Sequence, residues 1–182
     1  MKVCLHLADG FEEIEAISVV DILRRANIDV QMVSIMGKKE VVGAHHISVI
    51  ADVLFENVDY SNVEMIILPG GGQGTQNMAE HIGLQQQLTK QAMDDKWIAA
   101  ICAAPTILGK LGLLAGKSAV CYPGCESQLT GAETTNSASV IVDGKIITSR
   151  GPGTSLGFGL KIVEMLMGLD LANRLKEQMV IG

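Results

Sequence analysis

The sequence predicts an α/β protein built on a mainly parallel sheet with helices on both faces. Strand-like and helix-like segments alternate along most of its 182 residues. Several strand-like segments are continuous apolar runs, which is typical of parallel strands buried on both faces. Asp143-Gly144 separates two short apolar runs and predicts a two-residue hairpin, so one antiparallel appendage is expected.

The predicted elements follow one another in a regular order. Strands are predicted over Lys2–Leu7, Val30–Ile35, Val63–Leu68, Trp97–Ile101 and Ser118–Cys121. Short paired strands are predicted over Val41–Val42 with Ile47–Ala51 and over Ser139–Val142 with Lys145–Thr148. Helices are predicted over Glu12–Ala26, Gln76–Asp95, Thr106–Leu114, Gly153–Met167 and Leu171–Gln178. Because no linker or repeat interrupts this order, residues 1–182 are expected to form one domain.

Composition narrows the class of partner. The chain has 14 Lys and Arg against 20 Asp and Glu, a formal net charge of −6, which argues against nucleic acid or an anionic membrane as partner. No signal peptide or membrane-spanning run is visible. Four cysteines in such a chain are expected to be reduced. Together these features predict a cytoplasmic protein.

Cys102 is the strongest candidate for chemistry. It comes directly after the apolar strand Trp97–Ile101, and a helix-like segment follows with almost no loop between. A side chain at such a turn lies near a helix N-terminus, where free N–H groups and the helix dipole favour an anion. We therefore expect the Cys102 thiol to ionise more readily than a free cysteine. The alternative is a buried cysteine that serves only as a small apolar side chain.

Three glutamates, Glu12, Glu13 and Glu15, open the first predicted helix. Acidic residues in a first turn commonly complement the helix dipole. Glu15 differs because it projects along the apolar stripe that contains Val19 and Ile22. Burial there raises the pKa of a carboxyl, and the protonated group could hydrogen-bond a thiolate or pass a proton to a substrate. The pattern does not exclude Glu12 from this role.

A glycine-rich run over residues 70–74 follows a buried strand. Its spacing does not fit G-x-G-x-x-G, and Gly112–Ser118 is one residue short of a phosphate loop and follows a helix. Both nucleotide-binding interpretations are rejected, and no cofactor is expected. A glycine turn that offers backbone N–H groups to a reacting oxygen beside Cys102 fits better.

The remaining cysteines and histidines predict no metal site. Cys121 and Cys125 lie four residues apart, and no second Cys/His pair has the spacing that zinc requires. His6 is expected in the core or behind the site. His45 and His46 precede a strand, and local sequence gives neither a catalytic role.

Four motifs together resemble the ThiJ/PfpI superfamily, in the branch of the Parkinson-linked protein deglycase. The resemblance covers nearly the whole chain and rests on Gly10–Glu15, Leu68–Gly71, Ala99–Pro105 and Thr148–Thr154. It implies a flavodoxin-like three-layer sandwich, related to class I glutamine amidotransferases, that forms a homodimer. Ala103 stands where PfpI-type proteases have histidine, and no His-x-Glu pair completes an amidotransferase triad, so neither activity is expected.

The resemblance also implies roles for individual residues. Cys102 matches the strained, oxidation-prone reactive cysteine, and Glu15 matches the protonated glutamate that contacts it. Gly71 and Ala103 match the positions whose N–H groups form an oxyanion pocket. Further matches place residues around the rim of the site or behind it: Arg25, Arg150, Gly151, Pro152, Gly153 and Thr154.

The chain departs from the family pattern at two positions. Counting back from Arg150 puts Ala132 where the human-type member has a histidine near the cysteine. The arginine that such dimers insert from the partner subunit corresponds to His45. We hypothesise that this histidine contacts the Cys102 site across the dimer.

Two functions remain open at this stage. In the first, Cys102 adds to the aldehyde of a 2-oxoaldehyde or glycated group, and Glu15 moves protons in a cofactor-independent glyoxalase or deglycase reaction. In the second, the protein is a redox sensor whose output is the oxidation state of Cys102. Both use the same thiol.

Overall fold

A computed structural model of the protein describes residues 1–135 and 137–182. Seven strands form one sheet in the order β5-β2-β1-β6-β7-β9-β8, and β3 pairs with β4 in a separate antiparallel ribbon. The strands are β1 (Lys2–Leu7), β2 (Asp29–Ser34), β3 (Glu40–Val42), β4 (Ser48–Ile50), β5 (Val53–Leu54), β6 (Val63–Leu68), β7 (Trp97–Ile101), β8 (Val140–Asp143) and β9 (Ile146–Ser149). The helices are α1 (Glu13–Arg25), α2 (Gly72–Glu80), α3 (Ile82–Met93), α4 (Pro105–Lys110), α5 (Ser155–Met167) and α6 (Leu169–Gln178).

The predicted fold class is confirmed. Neighbouring strands from β5 to β9 run parallel, and only β8 joins the main sheet in the antiparallel direction. Helices α1 and α5 pack together on one face, over a core that includes Leu5, Ile67 and Phe158. Helices α2, α3 and α4 cover the other face. Because β6 and β7 are parallel neighbours, the segments that follow them begin at the same edge of the sheet.

Several predicted boundaries are wrong. The segment predicted as one helix over residues 76–95 is two helices, α2 and α3, which meet at His81. The imidazole Nδ1 of His81 accepts the backbone N–H of Leu84 at 3.0 Å and so begins α3. The predicted helix over residues 106–114 ends already at Lys110.

The predicted strand over residues 118–121 is also wrong. It forms only an isolated bridge between Ser118 and Glu133. Asp143 accepts the N–H of Ser118 and Thr148 Oγ1 accepts the N–H of Val120, while the N–H of Ala119 donates to the carbonyl of Glu133. Residues 118–121 therefore add no strand to the main sheet.

His6 lies in the core, as expected. Its ring is fully buried, stacks on Tyr60 and hydrogen-bonds to the tyrosine hydroxyl at 2.7 Å. Burial lowers the pKa of His6 to about 3, so the ring is neutral at physiological pH. Among the described helices, none has the length and apolar character needed to cross a bilayer.

Candidate active site

Cys102 occupies a strained turn between β7 and α4. Its φ angle is +65°, a left-handed conformation that a non-glycine residue adopts only when its surroundings impose it. Hydrogen bonds on both sides of Cys102 impose this conformation. Its N–H donates to the carbonyl of Ser149 at 3.0 Å, and its carbonyl accepts the N–H of Tyr122 at 2.7 Å. These bonds hold the side chain, which is only 7% exposed, at the edge of the sheet.

Glu15 is brought to Cys102 by the first turn of α1. The carboxyl is fully buried, and its Oε2 accepts the N–H of Gly70 at 2.7 Å. The carboxyl also hydrogen-bonds to the side chain of Cys102. Helix α1 projects Glu15 inward because Val19 and Ile22 on the same stripe pack into the core.

The other two glutamates of α1 have different partners. Glu12 caps the helix, since its Oε2 accepts the N–H of Glu15 at 2.7 Å. Glu13 binds the ring Nδ1 of His45 at 2.8 Å and the backbone N–H of the same residue at 2.7 Å. The open choice between Glu12 and Glu15 is therefore settled by position, because Glu15 is the one that meets the thiol.

Backbone N–H groups converge on the same sulfur. Those of Gly71 and Ala103 hydrogen-bond to the Cys102 side chain and lower its pKa. Gly71 has a φ of +92°, and a Cβ on it would overlap the carbonyl oxygen of Gly10. Gly70 is equally constrained, because a Cβ there would lie 2.6 Å from the Cβ of Cys102 and 2.7 Å from Glu15 Oε2. Only glycine lets this turn approach the thiol so closely.

The expected acidity of the thiol is contradicted. Burial raises the pKa of Cys102 to about 12, and repulsion by the Glu15 carboxylate adds to the rise. Burial likewise raises the pKa of Glu15 to about 7, against the opposing hydrogen bonds from Cys102 and Gly70. The N–H groups predicted from the sequence are present, but burial and the adjacent negative charge outweigh them. Above neutral pH the two side chains hold a single proton between them.

Arg25 does not lie at this site. It is the last residue of α1, ten residues beyond Glu15, which places it about 15 Å away along the helix axis. Its exposed guanidinium pairs with Asp21 at 2.6 Å. The expectation that Arg25 borders the Cys102 site is therefore wrong within one chain.

The loop Arg150–Thr154 begins beside Cys102. It follows Ser149, whose carbonyl accepts the N–H of Cys102. The Thr154 hydroxyl closes the loop, because it hydrogen-bonds to the Ser149 hydroxyl at 2.7 Å and to the Gly151 carbonyl at 2.8 Å. The loop and Tyr122 line a shallow cavity of about 240 Å³.

Tyr122 is the residue that the sequence analysis missed. Its N–H bonds to the Cys102 carbonyl, and its ring lies against Gly151. Ala132 lies elsewhere. The next residue, Glu133, pairs with Ser118. Ser118 precedes Tyr122 by four residues, which is about 13 Å in an extended chain. The expected correspondence of Ala132 with the family's histidine is thus wrong. The Tyr-Pro-Gly turn after an apolar segment was the available sequence signal.

Glu12, Glu13 and His45 form the one cluster of metal-type ligands found among the described residues, with ligand atoms within 4.8 Å of one another. Each member is already engaged. Glu12 caps α1, and Glu13 forms an ion pair with His45, which raises the pKa of the imidazole. Capping and ion pairing therefore account for the arrangement.

The fold and the strained turn at Cys102 together define a class of proteins, and sequence comparison identifies that class. The sequence profile of the DJ-1/PfpI family matches residues 1–165. The chain belongs to this family, as the resemblance implied.

Several relatives are similar over most of the chain. It is 39% identical to protein DJ-1 homolog B of Arabidopsis thaliana over 94% of the chain and 39% of that protein. It is 36% identical to the Parkinson disease protein 7 homolog of Danio rerio over 96% of the chain and 94% of that protein. A Caenorhabditis elegans relative named glutathione-independent glyoxalase DJR-1.2 is 32% identical over 94% of the chain and 91% of that protein. The chain spans less than half the length of its two Arabidopsis relatives.

A solved structure has the same fold. The structure described as Toxoplasma gondii DJ-1, oxidized, superposes with a TM-score of 0.94 at 34% identity, over 98% of this chain and 97% of that one. The flavodoxin-like arrangement implied by the sequence motifs is therefore confirmed.

Proposed function

We propose that this protein is a cysteine-dependent, cofactor-independent enzyme of the glyoxalase or deglycase type that acts on 2-oxoaldehydes or glycated groups. The observation that carries the proposal is the contact of three groups with one sulfur. The Glu15 carboxyl and the N–H groups of Gly71 and Ala103 all hydrogen-bond to the Cys102 side chain. A nucleophile, a proton carrier and oxyanion donors are the parts that carbonyl addition requires.

The first step uses the proton that Glu15 and Cys102 share. Above its pKa of about 7, Glu15 is ionised while Cys102 remains a thiol. As the sulfur attacks the aldehyde carbon, Glu15 takes the thiol proton and the carbonyl oxygen gains negative charge. That oxygen then takes up the proton from Glu15, which gives a neutral hemithioacetal. One C–S bond forms, and the carbonyl π bond breaks.

The second step moves a proton within the adduct. Ionised again, Glu15 removes the hydrogen from the former aldehyde carbon as a proton and returns it to the neighbouring carbon of the resulting enediolate. The hydroxyl proton of the first carbon passes to the oxygen of the second. The aldehyde carbon is thereby oxidised to a thioester and the ketone carbon reduced to an alcohol, so no external oxidant is needed. Water then hydrolyses the thioester to a 2-hydroxy acid and restores the thiol. The N–H groups of Gly71 and Ala103 stabilise the oxyanions on this path.

The second candidate is a redox sensor that reads the oxidation of Cys102. The strained conformation and the N–H groups around the sulfur favour it, since they would stabilise the oxygens of a sulfinate. The raised pKa of the thiol disfavours it, because peroxide reacts with the thiolate. We therefore place the enzyme first.

Lactate production from methylglyoxal tests the choice. We expect turnover by the wild type and its loss in both Cys102→Ala and Glu15→Ala. Cys4→Ala removes a buried thiol in β1 outside the site and is the matched control, with activity per folded molecule retained. The absence of turnover in the wild type, with selective addition of two oxygen atoms to Cys102 by dilute peroxide, would favour the sensor.

We further propose a cytoplasmic homodimer. Exposed isoleucines on α1 and the β3–β4 ribbon support the dimer, since Ile14 is 57% exposed, Ile47 57% and Ile50 64%. His45 lies beside them, with its Nδ1 held by Glu13, so its Nε2 could contact the partner's site. Sedimentation of wild type and Ile14→Lys tests the dimer. Loss of turnover in His45→Ala, with dimerisation intact, tests the contact.

A further inference from the structure

A groove runs between α2 and α4 on the face of the sheet that carries these helices. Its volume is about 510 Å³, within the range of roughly 300–1,000 Å³ that is typical of small-molecule sites. Gly72, Gln76 and Ala79 line it from α2, with the four- and three-residue spacing of one helix face. Its walls are therefore two helices, α2 and α4, that begin at the same sheet edge.

One end of the groove lies next to Cys102, which is not itself among the described lining residues. Ala103, whose N–H bonds to the Cys102 side chain, lines this end together with Gly72. The α4 wall continues from Ala103 through Thr106 to Lys110. Seven residues at about 1.5 Å each place the backbone of Lys110 about 10 Å from that of Ala103. A molecule that reacts at Cys102 can therefore extend toward Lys110.

The far end of the groove carries positive charge. Lys110 is the single charged side chain among the described residues that line it. No carboxylate pairs with Lys110 in the part of the chain that the structure describes. Its neighbours in the lining are uncharged hydrogen-bonding groups, the Gln128 amide and the Thr130 hydroxyl. This combination favours an anion.

We propose that this groove holds the part of the substrate remote from the reacting carbonyl, and that Lys110 selects substrates bearing a carboxylate there. The proposal rests on the function proposed above and adds its substrate class. One lysine with amide and hydroxyl neighbours fits the single charge of a carboxylate, whereas a phosphate dianion calls for additional cations or N–H donors. The preferred substrates are thus carboxylate-bearing 2-oxoaldehydes and adducts of such compounds.

Matched substrates test this selection. We compare kcat/KM for phenylglyoxal, 4-carboxyphenylglyoxal and 4-phosphonophenylglyoxal in the wild type and in Lys110→Met. The wild type should prefer the carboxylate compound over the neutral one by about fivefold, the size of an exposed ion pair. Lys110→Met should abolish the preference for the carboxylate compound. Lys90→Met, which removes the same charge from α3, is the control and should keep the preference.

Equal preference in wild type and Lys110→Met would overturn the proposal. A wild-type enzyme that prefers the phosphonate compound over the carboxylate would overturn the choice of anion. Added salt should weaken the wild-type preference, because it screens exposed charges.

A second measurement is independent of turnover. Cys125 also lines the groove and is partly exposed, so alkylation of its thiol reports the local charge. In Cys102→Ala protein, the ratio of labelling rates at Cys125 by iodoacetate and by neutral iodoacetamide should fall about threefold when Lys110 becomes Met. An unchanged ratio would refute the anion site, even if the wild-type protein turns over methylglyoxal. A reduced ratio, found together with a wild type that shows no turnover, would leave the anion site in place and refute only the proposed function.

Discussion

The carboxyl of Glu15 and the thiol of Cys102 hydrogen-bond to each other where the first turn of α1 meets the end of β7. Each group changes the ionisation of the other. The carboxylate raises the pKa of the thiol through repulsion, and the thiol hydrogen bond lowers the pKa of the carboxyl. The pair therefore holds its protons as one unit, and in the proposed reaction the sulfur becomes strongly nucleophilic as its proton moves to Glu15.

Glu15→Gln separates the two effects of the carboxyl. It removes the proton acceptor, so methylglyoxal turnover should fall by about 100-fold or more. It also removes the negative charge that raises the pKa of Cys102, so that pKa should drop below its wild-type value of about 12. The pH dependence of Cys102 alkylation by iodoacetamide measures the second effect.

Asp21→Asn is the control for this substitution. It removes the same charge from the exposed face of α1, where Asp21 pairs with Arg25. Turnover and the pKa of Cys102 should stay at their wild-type values. A thiol pKa that rises in Glu15→Gln would contradict the pair described here, since it would mean that the carboxyl stabilises the thiolate.

The burial of Glu15 also predicts how stability depends on pH. Its folded-state pKa is about 7, above the value of about 4.3 in unfolded chains. Between these two values the folded protein binds more protons, so its stability falls as pH rises, by about 4 kcal/mol in total. Below about pH 4 this contribution is fully present, and above about pH 7 it is lost. The Cys102 thiol adds nothing in this window, because it titrates near pH 12.

Urea unfolding at pH 5 and pH 8 measures this effect against Glu15→Gln, whose neutral amide does not titrate. The variant should gain stability relative to the wild type by roughly 2–3 kcal/mol between the two pH values. The difference between Asp21→Asn and the wild type should not grow in this way. A gap between Glu15→Gln and wild type that is equal at both pH values would show that the carboxyl keeps an ordinary pKa.

Gly70 determines whether the pair can form. A Cβ at this position would lie 2.6 Å from the Cβ of Cys102 and 2.7 Å from Glu15 Oε2, so Gly70→Ala must displace one of them. We expect turnover to fall at least tenfold and the free energy of unfolding to drop by about 1–3 kcal/mol, as for other overpacked sites. Thermal unfolding and the methylglyoxal assay measure both.

Gly157→Ala is the matched control for Gly70→Ala. Gly157 lies in α5, and a Cβ there would meet no atom within 4 Å. Alanine should therefore stabilise the helix by about 0.5–1 kcal/mol and leave turnover unchanged. If Gly70→Ala behaved like Gly157→Ala, the close approach of the glycine turn to the thiol would be wrong.

The sequence was sufficient to predict the bounds of strands that consist mainly of apolar residues. The strands Lys2–Leu7, Val63–Leu68 and Trp97–Ile101 occupy the predicted residues. Each is buried on both faces, and their polar residues are confined to Lys2, His6 and Glu64. The position of Cys102 followed from the last of these strands.

Elements that depend on tertiary contacts were not predictable in this way. Residues 76–95 have no apolar or Gly-Pro signal that separates α2 from α3, and the break depends on the His81 cap and on Gly83, which packs against the ring of Phe55. The apolar Ala119–Cys121 segment joins no strand, because the N–H of Val120 donates to the Thr148 side chain and that of Ala119 to the carbonyl of Glu133. Local sequence does not contain these contacts.

The acidity of the thiol failed as a prediction for a similar reason. The helix dipole and the glycine N–H groups can be read from sequence near Cys102, but the extent of burial and the charge state of Glu15 depend on how α1 packs against β7. The strength of each influence decides the sign of the pKa change. Here burial and the charge of Glu15, which the sequence did not quantify, affect the pKa of Cys102 more than the N–H groups do.

A histidine at position 122 should affect the ionisation of Cys102, whereas a histidine at position 132 should not. Tyr122 is held against Cys102 by a backbone hydrogen bond of 2.7 Å, whereas Ala132 lies near Lys117 at the far end of the same extended segment. An imidazolium close to a thiol favours the thiolate. Tyr122→His should therefore lower the pKa of Cys102 and speed its alkylation at pH 6 by up to about tenfold, the effect of one pKa unit.

Ala132→His is the control and should leave that rate unchanged. Faster alkylation in Ala132→His alone would restore the correspondence that counting along the sequence suggested, and would place the loop between residues 118 and 135 in a different register.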